Sequence, residues 1–400
     1  MKKLLIVITI VYCYSLNSTA QNNTSLPDNQ KKGWYEKINL RGYAQVRYNG
    51  LIQTNPDLTC EQCDKSWGGD SEFFLRRLRL VLFGQIHPRI YFYIQPDFAS
   101  SSGSNQNFGQ IRDAYVDVGL DSNNEFRFRI GQSKVPFGFE NLQSSQNRLT
   151  LDRNDALNSA LKNERDLGVF FYWAPKNIRE RFSMLTREGY KGSGDYGVFG
   201  LGVFNGQTAN VEDLNNNKHV VARLTYPFEI GSQIFEAGIQ AYSGEYTIDG
   251  KQISEGVTHH EDNTYVDQRV AVTAVLYPKP FGIQAEYNIG KGPEFNKVSN
   301  SIEVQNLHGG YVTLNAKLPF KEQLIYPFAK FQYYNGGKKH ELDARSYEVK
   351  ELELGLEWQP YKSIELVAMY TISDRKYEDF IKRDNQQKGG LLRLQFQINF

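Results

Sequence analysis

Alternation of apolar and polar residues dominates this chain. Its last residues are the clearest case. Leu392, Leu394, Phe396, Ile398 and Phe400 share one parity, and Arg393, Gln395, Gln397 and Asn399 share the other. Successive side chains of a strand point to opposite faces, so this segment has one apolar and one wet face up to its aromatic carboxyl end. The rhythm is the same where Ile38, Leu40, Ala44 and Val46 alternate with Asn39, Arg41, Gln45 and Arg47. It returns where Val312, Leu314, Ala316 and Leu318 alternate with Tyr311, Thr313, Asn315 and Lys317. About sixteen such strands are expected, the first near 38–49 and the last near 389–400. Residues 180–204 fit least well, being long for one strand and broken from Tyr190 to Asp195, and they are taken as a single strand.

The connections alternate between short and long. Short turns gather proline, at His87-Pro88-Arg89, Ala174-Pro175-Lys176, Tyr226-Pro227-Phe228, Tyr277-Pro278-Lys279-Pro280, Leu318-Pro319-Phe320 and Gln359-Pro360-Tyr361. The remaining one is Asp121-Ser122-Asn123-Asn124. Proline fixes φ and donates nothing to a ladder, which suits a tight turn. Long polar loops separate these hairpins, among them 50–72, 99–109, 134–165, 291–307 and 373–388. An even strand number, with short turns at one end and long loops at the other, is the asymmetry of an outer-membrane barrel with both termini in the periplasm. The expected fold is all-β, a transmembrane antiparallel β-barrel over residues 38–400. Aromatics beside the turns, such as Trp173, Tyr226, Phe228, Trp358 and Tyr361, would ring its periplasmic edge.

Composition agrees with a barrel. Mean hydropathy is −0.54, yet the 400 residues include 25 Tyr and 25 Phe. A barrel needs a polar lumen and polar loops, and only alternate strand residues face lipid. Lys2-Lys3, the apolar run Leu4 to Val11 and the small residues Ser18-Thr19-Ala20 read as a signal peptide over 1–20, cleaved near Ala20. Residues 21–37 would then form a periplasmic segment. The leader's apolar run is too short to cross about 30 Å of hydrocarbon as a helix, and none later is long enough. Net charge is +1, which argues for no nucleic-acid partner. The expected partners are outer-membrane lipid and small solutes, and no cofactor is expected. No enzyme constellation stands out, and the loops are small for an adhesin.

The inward parity carries many charges. Arg41, Arg47, Arg77, Arg79, Arg127, Arg129, Arg223 and Arg269 are among its basic members. Guanidinium forks grip oxyanions, and a row of them can hand an ion on. Lumenal carboxylates are also plentiful, and pairing between the two sets would stiffen the wall instead. Arg76 shares parity with Leu78 and Leu80, so it lies either at the external rim or in a bulge that turns it inward. Loop 134–165 holds Phe137, Phe139, Leu142, Leu149, Leu151, Leu157 and Leu161, more apolar residues than a solvated loop needs. It is expected to pack inside the barrel, the alternatives being an external cap or a contact between protomers. Cys60 and Cys63 are expected to form a local disulfide, with redox or zinc chemistry as the alternatives.

One further pattern is family-like. Arg76-Arg77-Leu78-Arg79-Leu80, Asp97-Phe98-Ala99, Arg112-Asp113-Ala114-Tyr115, Gly131 to Glu140, Ser144-Ser145 and Glu164-Arg165-Asp166-Leu167-Gly168 follow in that order. This series resembles the phosphate-selective porin O and P family. The resemblance implies a sixteen-stranded homotrimeric porin whose third external loop narrows the pore, and lumenal cations that pass anions such as phosphate. It places Arg76, Arg77, Asp97, Lys134, Ser144 and Ser145 at the constriction, with Arg148 and Arg153 as weaker additions. A porin without anion preference, or one for carbohydrates using Tyr91, Tyr93, Tyr115 and Tyr311 as a slide, is the competing expectation.

Overall fold

A computed structural model describes residues 34–49, 51–63, 67–68, 71–102 and 105–400. The expected signal peptide and the expected periplasmic segment up to residue 33 lie outside the described residues. From Ile38 onward the chain forms an antiparallel sheet that closes on itself. Its strands are β1 (Ile38–Tyr48), β2 (Phe73–His87), β3 (Ile90–Ser102), β4 (Asn105–Gly119), β5 (Phe126–Lys134), β6 (Arg165–Trp173), β7 (Phe199–Phe204) and β8 (His219–Ile230). There follow β9 (Gln233–Thr247), β10 (Thr264–Leu276), β11 (Phe281–Asn296) and β12 (Ser301–Ala316, continued by Leu318–Phe320). The last four are β13 (Gln323–Gly337), β14 (Ser346–Tyr361), β15 (Ile364–Glu378) and β16 (Asn385–Asn399). Both parts of β12 pair with β13, so sixteen strands make the barrel.

Alternation does what the sequence suggests. Along β10, Asp267, Arg269, Ala271 and Thr273 are buried, while outward Val272 is 56% exposed. Polar groups therefore line the interior and apolar ones the outer wall, as lipid on the outside demands.

The seam is closed by the carboxyl terminus. β16 pairs with β1 from Tyr43 opposite Asn399 to Tyr48 opposite Leu394. Beyond it, Gly42 N donates to Phe400 O at 2.7 Å and Phe400 N to Gly42 O at 2.9 Å. A Cβ on Gly42 would lie 2.5 Å from the Phe400 ring and 2.7 Å from Arg79 O, so glycine is what lets the terminal ring lie against the wall. Gly42→Ala is expected to cost about 1–3 kcal/mol through overpacking. A lowered midpoint of thermal unfolding in detergent checks this.

Three expectations need correction. Residues 180–204 are not a strand. Lys176–Arg187 form an α-helix (α3, after the short α1, Phe139–Leu142, and α2, Asp155–Ala160), and only Phe199–Phe204 enter the sheet. Ile178, Phe182 and Leu185, spaced by four and three, are buried on one helix face. Pro175 is the residue before this helix rather than the corner of a hairpin, since proline's fixed φ serves both. The loops expected at 99–109, 291–307 and 373–388 are mostly strand, because a strand that has left the membrane can be polar on both faces. Finally, Pro227, Pro319 and Pro360 sit near strand ends, and the turns themselves are Gly231-Ser232, Lys321-Glu322 and Lys362-Ser363.

Candidate permeation site

The segment between β5 and β6 is held by inward-facing groups from strands around the barrel. Its apolar residues are buried, as for Phe137, Phe139 and Leu157, each fully covered. Its polar ones bond to the wall. Phe139 N donates to Glu286 Oε2 of β11 at 2.8 Å, and Glu140 accepts from Lys330 Nζ of β13 at 2.8 Å. Asp155, at the start of α2, accepts from Arg375 of β15 at 2.8 Å and also pairs with Lys338. Ser159 O accepts from Arg269 of β10 at 3.1 Å, and Leu151 O from Arg47 of β1 at 3.0 Å. Asp152 pairs with Arg393 of β16. Buried pairs of this kind are costly to break, so the segment has a defined position.

A second segment meets the first from the turn end. Between β6 and β7, residues 174–198 cross the barrel mouth. Leu185 of α3 packs with Phe139, Ile234, Val275 and Tyr277. Lys191 Nζ lies 2.5 Å from Glu357 Oε1 of β14, while its carbonyl accepts from Gln143 Nε2 at 2.6 Å. Asp195 joins Arg127 of β5 at 2.8 Å to Arg179 of α3 at 2.9 Å. From the loop end, Trp67 reaches in, donating from Nε1 to Asp152 Oδ2 at 3.1 Å beneath the guanidiniums of Arg375 and Arg393. Cys60 and Cys63 are disulfide-bonded in the same loop.

The expected site residues divide by partner. Arg79 and Asp97 are opposite one another in the β2–β3 register and bond at 2.6 Å; Arg79 also donates to Tyr43 OH and to Ser145 Oγ at 3.1 Å. Arg129 grips Asp117 with two bonds of 2.7 and 2.9 Å. Arg153 pairs with Glu164 at 3.1 Å, and Arg47 lies 3.9 Å from Asp152. Arg223 with Glu236 (3.2 Å) and Arg269 with Asp267 (2.9 Å) are fixed in the same way. For all these the wall-stiffening reading fits the geometry.

Arg77, Lys134 and Arg41 differ. Arg77 Nη1 donates to the amide oxygen of Gln45 at 2.8 Å, and Lys134 Nζ to the carbonyls of Leu142 and Gln143 at 3.1 and 2.6 Å. Arg41 lies over the Phe83 ring. Arg148, in the loop, also bonds only carbonyls, those of Thr150 and Leu151. None of the four has a carboxylate within ion-pair distance among the described residues. Arg76 stands in a β-bulge: Gln45 is opposite Arg77 and Val46 opposite Leu75, so Arg76 is the extra residue, and it lines a cavity instead of facing lipid.

Two cavities flank this group. The one among the external loops has about 540 Å³ and is lined by Cys60, Trp67, Arg76 and Arg345. The one toward the turn end has about 450 Å³ and is lined by Arg41, Lys134, Ser144 and Tyr196. Several of these groups were not anticipated. Lys191 and Asp195 lie in the stretch without alternation, Arg375 lies in an expected loop, and nothing in its neighbourhood marked Trp67. Arg165, which bonds Asp113 at 2.8 Å, was within the family-like series and could have been taken from it.

The profile of phosphate-selective porin O and P matches residues 57–400. The chain belongs to that family. It is a porin, a channel for small solutes, and fold and family point to a Gram-negative outer membrane. Solved porins share its architecture. The outer membrane channel DcaP of Acinetobacter baumannii is 16% identical with a TM-score of 0.56, over 91% of this chain and 97% of that one. Salmonella typhi OmpF is 12% identical with a TM-score of 0.55, covering 91% and 97%. An anion-selective porin from Comamonas acidovorans is 10% identical with a TM-score of 0.52, covering 91% and 99%. At these identities the likeness concerns the fold alone. No curated protein matches the chain.

Proposed function

We propose that this porin passes small anions, phosphate among them, as a homotrimer, with the segment after Lys134 folded into the lumen to narrow the pore. The observation that carries this reading is that Arg77, Lys134 and Arg148 bond only neutral oxygens and have no carboxylate within ion-pair distance among the described residues. Most other lumenal guanidiniums are spent on carboxylates. Lys134 lines the inner cavity together with Arg41, and Arg77 is next in sequence to Arg76, which lines the external one. Each of the three offers an anion a charge already weakly bonded, so binding is favourable and still easily reversed, as conduction needs. The family's description and the anion-selective Comamonas porin support the same preference.

Arg77→Gln and Arg148→Gln test it. An unpaired cation 4 Å from an ion is worth about 1 kcal/mol in water and about 4 at an effective dielectric of 20. Each substitution is therefore expected to lower chloride and phosphate conductance by about fivefold or more in planar bilayers. Folding should be little affected, since no buried carboxylate is left unpaired. Unchanged anion currents in both variants would contradict the assignment.

A further inference from the structure

The inner cavity carries more than charge. Phe83 of β2 is opposite Tyr93 of β3, and Tyr93 is opposite Tyr115 of β4, so three inward rings form a row across the wall. The Tyr93 and Tyr115 rings are nearly parallel, 12° apart with centroids 5.2 Å apart. A guanidinium stands at each end of the row. Arg41 lies 5.4 Å above Phe83, and Arg129 lies 3.9 Å from the centre of Tyr115. Tyr93 and Tyr115 are only half-buried and line open space, unlike rings that serve as core.

The charges around this row are unequal. Arg129 is already held by Asp117, whereas Arg41 has no ion pair among the described residues. Arg127, 3% exposed, also lines the cavity, and its Nη1 has no hydrogen-bond partner although Asp195 holds the other arm. Ser193 Oγ, buried and lining the same space, is likewise without a partner. An exposed guanidinium without an ion pair, beside half-buried ring faces that line open space, describes a receptor for something both anionic and flat.

We propose that this cavity is a retention site for small organic anions that carry an aromatic ring. The ring stacks on Tyr93 and Tyr115 while the anionic head is taken by Arg41. The proposal rests on the anion-channel reading and names a substrate class for it. Neither half suffices alone: a neutral ring has no use for the guanidiniums, and an inorganic anion none for the tyrosines. In that respect the site departs from a sugar slide, where ring stacking and neutral hydroxyl contacts do the work.

The test compares probes with one head group. Phenyl phosphate and methyl phosphate are titrated against the single-channel chloride current of the full chain in planar bilayers. Phenyl phosphate is expected to half-block the current at a concentration about tenfold below methyl phosphate. In Tyr93→Leu/Tyr115→Leu the two concentrations should converge, and in Arg41→Gln the phenyl phosphate value should rise severalfold while the folded barrel persists. Equal block by both probes in the unaltered channel would overturn the proposal, as would a tenfold ratio that survives in the tyrosine variant. Glucose 6-phosphate blocking as well as phenyl phosphate would overturn the aromatic assignment. Equal block by the two phosphates leaves the anion channel standing, whereas cation selectivity of the open pore removes both readings, so the two failures are distinguishable.

Discussion

Replacing residues 175–197 by a short turn is expected to raise single-channel conductance severalfold. The graft is geometrically simple. Trp173 and Phe199 are register partners at the ends of β6 and β7, about 5 Å apart, a gap that a two-residue hairpin closes. What it removes is a barrier across the turn end of the barrel. Leu185 covers Phe139 and Tyr277, Gly189 O accepts from Tyr326 OH at 3.0 Å, and Lys191 reaches Glu357 on the far side. Ions leaving the inner cavity must pass around this chain. Removing it also takes Asp195 from Arg127, which frees a further cation and should strengthen any anion preference. Planar-bilayer recordings, with a melting curve to show that the barrel persists, check the result. A wild-type conductance in a folded variant would mean that permeation bypasses the turn end near α3.

Glu140→Ala should have the largest effect on the segment after Lys134, which is proposed to narrow the pore. Glu140 is 2% exposed and gathers Lys330 Nζ at 2.8 Å, Asn154 N at 2.7 Å, Asn154 Nδ2 at 2.8 Å and Thr150 Oγ1 at 3.2 Å. Its loss leaves Lys330, wholly buried, with Glu353 at 3.6 Å as its remaining carboxylate. Breaking a buried pair by removing one partner typically costs about 3–5 kcal/mol. That cost falls on the attachment of the loop to β13, so the expected outcome is a noisier, larger conductance with a lowered unfolding temperature. Glu140→Gln, which keeps the shape and loses the charge, should show a smaller change of the same sign. Currents in the alanine variant as quiet and as small as those of the unaltered channel would show that the loop's position does not depend on this carboxylate.

The barrel was legible because its outer wall obeys one rule. Leu394, Phe396 and Ile398 are on the outer wall because lipid leaves no alternative, and the same rule gives every strand its facing. Arg76 broke the parity and thereby announced the bulge that the β1–β2 register contains. The helix after Pro175 was not legible for a related reason. Its proline imitates the turn prolines around it, and the spacing of Ile178, Phe182 and Leu185 covers barely two helical turns between alternating segments.

At the permeation site the limit was different. Parity says which cations face inward, but pairing depends on register. Arg79 finds Asp97 and Arg129 finds Asp117 because those residues are exact neighbours across a ladder, while Arg77 is opposite Gln45. A one-residue shift would turn a whole strand's inward side chains to the other face, and a two-residue shift would change which of them meet. The distinction between structural and available arginines therefore belongs to the fold, and a list of inward residues does not contain it. Trp67 shows the same limit at longer range, since its partners are Asp152 of the segment after β5 and Arg375 and Arg393 of the last hairpin, all far along the chain.

The reversal potential of the unaltered channel under a KCl gradient tests the central claim most directly. If Arg77, Lys134 and Arg148, without a carboxylate at ion-pair distance among the described residues, set the preference as proposed, chloride is the more permeant ion and the potential takes the sign of chloride selectivity. It should move toward zero in the Arg77→Gln/Arg148→Gln double variant. A potential of the opposite sign in the unaltered protein, marking potassium as the preferred ion, would contradict the account.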